Sequence, residues 1–132
     1  MVDLIRSIRG AITVKENSIQ EIKSSTLKLL NEILGQNKLS EAKIINIIFT
    51  ITDDLNSINP ATVVREDLKF QTTPMLCVHE MKTKNNLSMC IRVMLQVYTR
   101  LSKEDIKHIY LGEAATLRPD LGGKDIPAER LY

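Results

Sequence analysis

The segment from Ile19 to Leu34 is the clearest helix in this chain, and it constrains the fold more than any other feature. Ile19, Ile22, Thr26, Leu29, Leu30, Ile33 and Leu34 recur at spacings of three and four, while Glu21, Lys23, Ser25, Lys28 and Glu32 fill the other face. Ser18 with Glu21 three residues later is a capping-box pattern, and Gly35 stands where a left-handed residue would end the helix. An amphipathic helix must bury its apolar stripe against another element, and most of the remaining apolar sequence is of β type.

The segment Leu4 to Val14 is rich in β-branched residues and is punctuated by Gly10, which suits a bulge or a close approach of backbone. Residues 43–52 form an Ile-dense run, read as a buried strand that Asp53 and Asp54 terminate. Further strands are expected from Met75 to Glu80, from Met89 to Thr99 and from Lys107 to Leu111, with the turn at residues 82–86 making the first two of these a hairpin. Three short helical pieces complete the pattern: a turn at residues 40–42, a helix over residues 61–67 behind Pro60, and one opened by Ser102 as cap with Asp105 at its third position. This order predicts an α+β domain, an α/β-type mixed sheet covered mainly by one long helix.

At 132 residues the chain is expected to hold one domain over residues 1–121, with the Gly-, Pro- and charge-rich residues 122–132 as a loose tail. Only 4% of residues are aromatic and none is Trp, so Ile, Leu and Val fill a modest core and leave little to wall a deep pocket. A small-molecule site would then sit between subunits. The net charge of +2, with 18 scattered Lys and Arg, argues against nucleic acid or an anionic membrane as partner. Cys77 and Cys90 are too few and too far apart for a disulfide framework or a Cys-rich metal site, and a reducing compartment is expected. The N-terminus lacks a signal-peptide pattern, and the run from Ile44 to Ile51 is far short of the ~20 residues a membrane helix needs, so the expected location is the cytoplasm.

Arg92 is the most informative oddity. On a period of two, Ile91, Val93, Leu95 and Val97 form an apolar face, and Arg92 lies on the other with Cys90, Met94 and Gln96. A guanidinium so embedded calls for an anion, although a wet side of an antiparallel sheet accommodates it equally well. Arg9, beside Gly10, is similar, and two arginines on different strands could clamp a dianion; a salt bridge to Glu80 or Glu66 would account for one of them. Glu80 could act as acid, base or hydrogen-bond acceptor, or simply end its strand. Cys77 and His79 share a face without a nucleophile arrangement, His108 has no ligand spacing, and the chain carries no P-loop, GxGxxG or GxSxG.

Six segments in order resemble the small trimeric AroH class of monofunctional chorismate mutase. They are Ile8-Arg9-Gly10-Ala11; Pro60-Ala61 with Val64-Arg65-Glu66; Pro74 with Cys77 and Glu80-Met81; Cys90 to Met94; His108 to Leu111; and Leu117 to Leu121. Together they span about residues 4 to 121. The resemblance implies a homotrimer with a pseudo-barrel of sheets, active sites between subunits, and conversion of chorismate to prephenate without cofactor or metal. It implies further that Arg9 and Tyr110 hold carboxylates, that Arg92 faces the breaking ether oxygen, and that Glu80 with the Cys77 backbone takes the ring hydroxyl. Ala61, Arg65, Met75, Leu76 and Leu117 would line the cleft and Arg118 would close it. Asn59 and Thr62 depart from the family, in which an aromatic residue and a lysine commonly flank the Pro-Ala pair. Two other readings are a RidA-type imine or enamine deaminase, which leaves Arg92 and Glu80 unassigned, and a non-enzymatic trimer that binds a dicarboxylate.

Overall fold

A computed structural model describes residues 2–117. Strand β1 (Leu4–Thr13) leads into helix α1 (Ile19–Gln36), a single 3-10 turn (Glu41–Lys43) and strand β2 (Ile44–Ile51). Helix α2 (Pro60–Asp67) precedes β3 (Met75–His79), then β4 (Cys90–Thr99), β5 (Ile109–Leu111) and a closing 3-10 segment (Gly112–Thr116). The strands form one mixed sheet in the order β3-β2-β4-β1-β5. Among the described residues no helix is long and apolar enough to cross a membrane.

The expected hairpin between the third and fourth strands does not form. β3 pairs in parallel with β2, from Ile47↔Met75 to Ile51↔His79, and α2 is the crossover such a pair requires. β4 instead inserts between β1 and β2, antiparallel to both, and so satisfies the backbone groups of both its edges. A turn at residues 82–86 could serve only one of those edges, and the burial of Ile91, Val93, Leu95 and Val97 favours the centre of the sheet.

Two helix boundaries also differ from expectation, both because of Asn37. Helix α1 runs through Gly35 to Gln36, and the left-handed residue is Lys38, with φ of 53°. The buried Asn37 amide donates to Ile33 O and to Lys107 O, each at 2.9 Å, and its Oδ1 accepts from Lys107 N at 2.8 Å. That last bond takes the Lys107 N–H, so the turn in which Ser102 Oγ donates to Asp105 Oδ2 (3.0 Å) never propagates into a helix. The α1 N-terminus is as expected, with Ser18 Oγ accepting from Glu21 N at 3.1 Å.

The core lies between α1 and one face of the sheet, where Ile22, Leu29, Leu30 and Ile33 pack on Ile8, Ile47, Phe49, Ile91 and Leu95. Gly10 is central to this contact. A Cβ there would sit 2.9 Å from Ile109 O and 2.9 Å from Ile33 Cδ1, so helix and strand approach too closely for any side chain. β1 pairs with β4 without a register shift, which makes this a close approach and not a bulge. Gly10→Ala is expected to cost about 1–3 kcal/mol, read as a lowered denaturant midpoint at unchanged m-value.

β2 is buried on one face only. Ile47, Phe49 and Ile51 enter the core, whereas Ile48 is 40% exposed on the helix-free face. The register places Leu76 and Met94 beside Ile48, Val78 beside Thr50, and Ile5 opposite Tyr98. All five of those apolar neighbours are exposed as well, so one side of the sheet is an uncovered hydrophobic surface.

Candidate active site

A cleft of about 380 Å³ opens on that helix-free face, lined by Arg9, Ile48, Thr50, Glu80, Arg92, Met94 and Tyr110. The pairing explains the convergence. Cross-strand partners share a face, so Thr50 on β2, Arg92 on β4, Ala11 on β1 and Tyr110 on β5 form one row across four strands. Arg9 lies opposite Met94 in the adjacent row, and Glu80 follows β3, its N–H donating to Ile51 O at 2.8 Å.

The residue between the two functional side chains of the row is small for a reason. Ala11 is fully buried and packs with Cys90, Tyr110 and Ala114, with Leu87 and Leu117 against them, which seats the Tyr110 ring beside Arg92. The backbone N–H of Arg9 donates to His108 Nδ1 at 3.0 Å, tying the chain ahead of β5 to β1. At the other end Asp54 accepts from Met89 N at 3.1 and 3.0 Å, and Thr52 Oγ1 accepts from Cys90 N at 3.0 Å. These bonds hold the residue with φ of 53° (Met89) that turns the chain into β4, three residues before Arg92.

Electrostatically the cleft sets two guanidinium groups against one carboxylate. Arg92 Nε lies 3.5 Å from Glu80 Oε1, and Thr50 Oγ1 donates to the same oxygen at 2.5 Å. The Arg92 side chain is 39% exposed, a setting in which an ion pair adds at most about 1 kcal/mol to stability. Arg9 makes no salt bridge among the described residues. The charge left over suits a small anion. Two roomier depressions lack this arrangement: in one of about 580 Å³, Lys43 and Arg100 already face Asp3, and one of about 750 Å³ mixes Lys15 and Lys28 with Glu21 and Glu113.

Neither cysteine is activated. Burial pushes the Cys90 thiol up to about 11 and raises that of the half-buried Cys77, so both stay protonated near neutral pH.

The remaining expected site residues lie elsewhere on the same chain. Asn59 caps α2, its Oδ1 accepting from Ala61 N at 2.8 Å, and Ala61 is buried in the main core. Thr62 Oγ1 accepts from Arg65 Nη2 at 3.5 Å on the exposed side of α2. Met75, Leu76 and Cys77 lie on the edge strand β3, and Leu117 borders the Tyr110 cluster. None of these lines the cleft with Arg92. Arg118 and residues 122–132 lie outside the described residues. Thr50, Thr52, Asp54 and the His108 bond were not among the expected site residues. Their only signal in the sequence is a polar residue within or beside an apolar strand.

The fold is an α+β domain with a helix-free sheet face, on which arginines from two strands share one cleft with an acid and a phenol, an arrangement suited to an anion. The family model described as chorismate mutase type I matches residues 5–121. The AroH chorismate mutase of Bacillus subtilis (strain 168) is 38% identical over 118 residues, covering 89% of this chain and 93% of that protein. The Thermus thermophilus AroH is 37% identical over 119 residues, covering 89% and 97%. A solved chorismate mutase from Clostridium thermocellum is 44% identical with a TM-score of 0.80, covering 83% of this chain and 96% of that one. The chain belongs to the type I chorismate mutase family.

Proposed function

We propose that this protein rearranges chorismate to prephenate, an isomerase reaction on the route to aromatic amino acids, in a cleft completed by a second copy of the chain. Chorismate is a flexible dianion. Its rearrangement is intramolecular: the ether C–O bond breaks as a C–C bond forms, and no proton, nucleophile or cofactor takes part. The protein can therefore contribute in two ways, by selecting the compact conformer and by stabilising the negative charge that grows on the ether oxygen.

The roles are those that the resemblance to the AroH class implies, and the chemistry of each group suits them. Arg9 and Tyr110 hold carboxylates, Arg92 faces the ether oxygen, and Glu80 accepts from the ring hydroxyl together with the backbone of Cys77. The observation that carries this reading is the meeting of Arg9, Glu80, Arg92 and Tyr110, drawn from segments up to 101 positions apart along the chain, in one cleft. The Arg92–Glu80 pair speaks against the deaminase reading, which gives neither residue work.

Asn59, Ala61, Thr62, Arg65, Met75, Leu76 and Cys77 belong, in this reading, to the wall supplied by a neighbouring subunit, and Leu117 and Arg118 to the rim. The uncovered surface formed by Ile5, Ile48, Leu76, Val78, Met94 and Tyr98 supports assembly, because such a patch on a monomer would face water at a cost. A closed homotrimer, as the AroH resemblance implies, would bury it. The free thiols of Cys77 and Cys90 agree with action in the cytoplasm.

The direct test follows the loss of chorismate's ultraviolet absorbance with purified protein in the presence of a chelator. Turnover that survives the chelator is the expected result. A folded protein that leaves chorismate unchanged would overturn the assignment.

A further inference from the structure

We infer that Thr50 is a positioning residue that keeps Glu80 and Arg92 apart enough for both to serve the ligand, an inference that rests on the function proposed above. Thr50 lines the cleft from β2, with Arg92 as its partner on β4 and Val78, two residues before Glu80, as its partner on β3. Its hydroxyl therefore sits between the cation and the acid. It donates to Glu80 Oε1, the oxygen that Arg92 Nε approaches at 3.5 Å.

Arginine and a carboxylate left to themselves favour a forked pair, with two parallel N–H···O bonds. Here Arg92 approaches with Nε at 3.5 Å, on the oxygen that the Thr50 hydroxyl already engages. Two consequences follow. Glu80 Oε2 accepts no hydrogen bond among the described residues and is left for a donor on the ligand. Among the described residues no salt bridge engages the terminal nitrogens of Arg92, which a forked pair with Glu80 would have consumed.

Thr50→Val keeps the volume and the β-branch that a strand favours and removes only the hydroxyl. Without the competing donor, Glu80 and Arg92 close on each other. kcat/KM for chorismate is expected to fall about tenfold in Thr50→Val, the scale set by one hydrogen bond to a charged group. Thr50→Ser, which restores the donor, should return to within about threefold of the parent.

Coupling separates positioning from a general structural effect. In a Glu80→Ala background there is no carboxylate to hold, and adding Thr50→Val should change kcat/KM by less than about twofold. Steady-state kinetics on the four proteins of this cycle, with Thr50→Ser as a fifth and thermal melts as a folding control, supply the test. Equal losses in the valine and serine variants, no loss in either, or a full loss persisting without Glu80 would each overturn the inference while leaving the function intact. A parent protein that does not turn over chorismate would overturn the function, and this inference with it.

Discussion

Arg92→Ala is expected to lower kcat/KM for chorismate by about a hundredfold to a thousandfold, the range found when one preorganised donor to a developing oxyanion is removed. The effect should fall mainly on kcat, since the charge on the ether oxygen exists only as the C–O bond breaks. The fold should survive. Arg92 is partly exposed, and its single contact with Glu80 belongs to the class of surface pairs that add little stability. Arg92→Lys should recover little, because an ammonium offers a point charge where a planar fork is needed to face both Glu80 and the ligand. The measurement is steady-state turnover beside a thermal melt. Activity within threefold of the parent in a folded Arg92→Ala protein would remove Arg92 from the mechanism.

Mixing two inactive variants should restore activity. If each site takes Arg92 from one subunit and Arg65 from the next, an equimolar mixture of Arg92→Ala and Arg65→Ala chains reassembles at random, and about a quarter of its sites carry both arginines. Activity should rise from the low level of either parent to about a quarter of that of the unsubstituted protein. Co-expression of the two chains, followed by an assay and by sedimentation to establish a trimer, supplies the measurement. A mixture no better than the mean of its parents would place both arginines in a site within one chain. No residue of α2 lines the cleft on a single chain, as a shared arrangement requires.

Both expectations rest on features that differ in how readily they can be read from residues. The body and the N-terminus of helix α1 were legible, because an apolar stripe at spacings of three and four and a Ser18 cap depend only on neighbours in sequence. Strand existence was equally local: β1, β2, β3 and β4 fall within a residue or so of the expected segments. Gly10 suited either a bulge or a close approach, and α1 supplied the second through Ile33 and Leu29.

Pairing was not legible. A turn such as residues 82–86 permits a hairpin, but a strand with strong alternation gains more by burying both edges, and nothing local says which strands will flank it. The ends of α1 and of the segment after Ser102 were set by Asn37, whose partner Lys107 lies 70 residues away. Asn59 shows the same limit in another form. It departs from the family pattern, and in the fold it is the cap that starts α2.

The sequence by itself therefore determined the elements and the chemical types in play: one long helix, a set of β-branched strands, and arginines embedded in two of them. Only the tertiary structure decided that β4 lies between β1 and β2, and with it that Arg9, Thr50, Glu80, Arg92 and Tyr110 face one cleft. The physical reason is range. Helix periodicity and caps act over a few residues, whereas a sheet is held by hydrogen bonds and burial between segments that the chain keeps far apart until it folds.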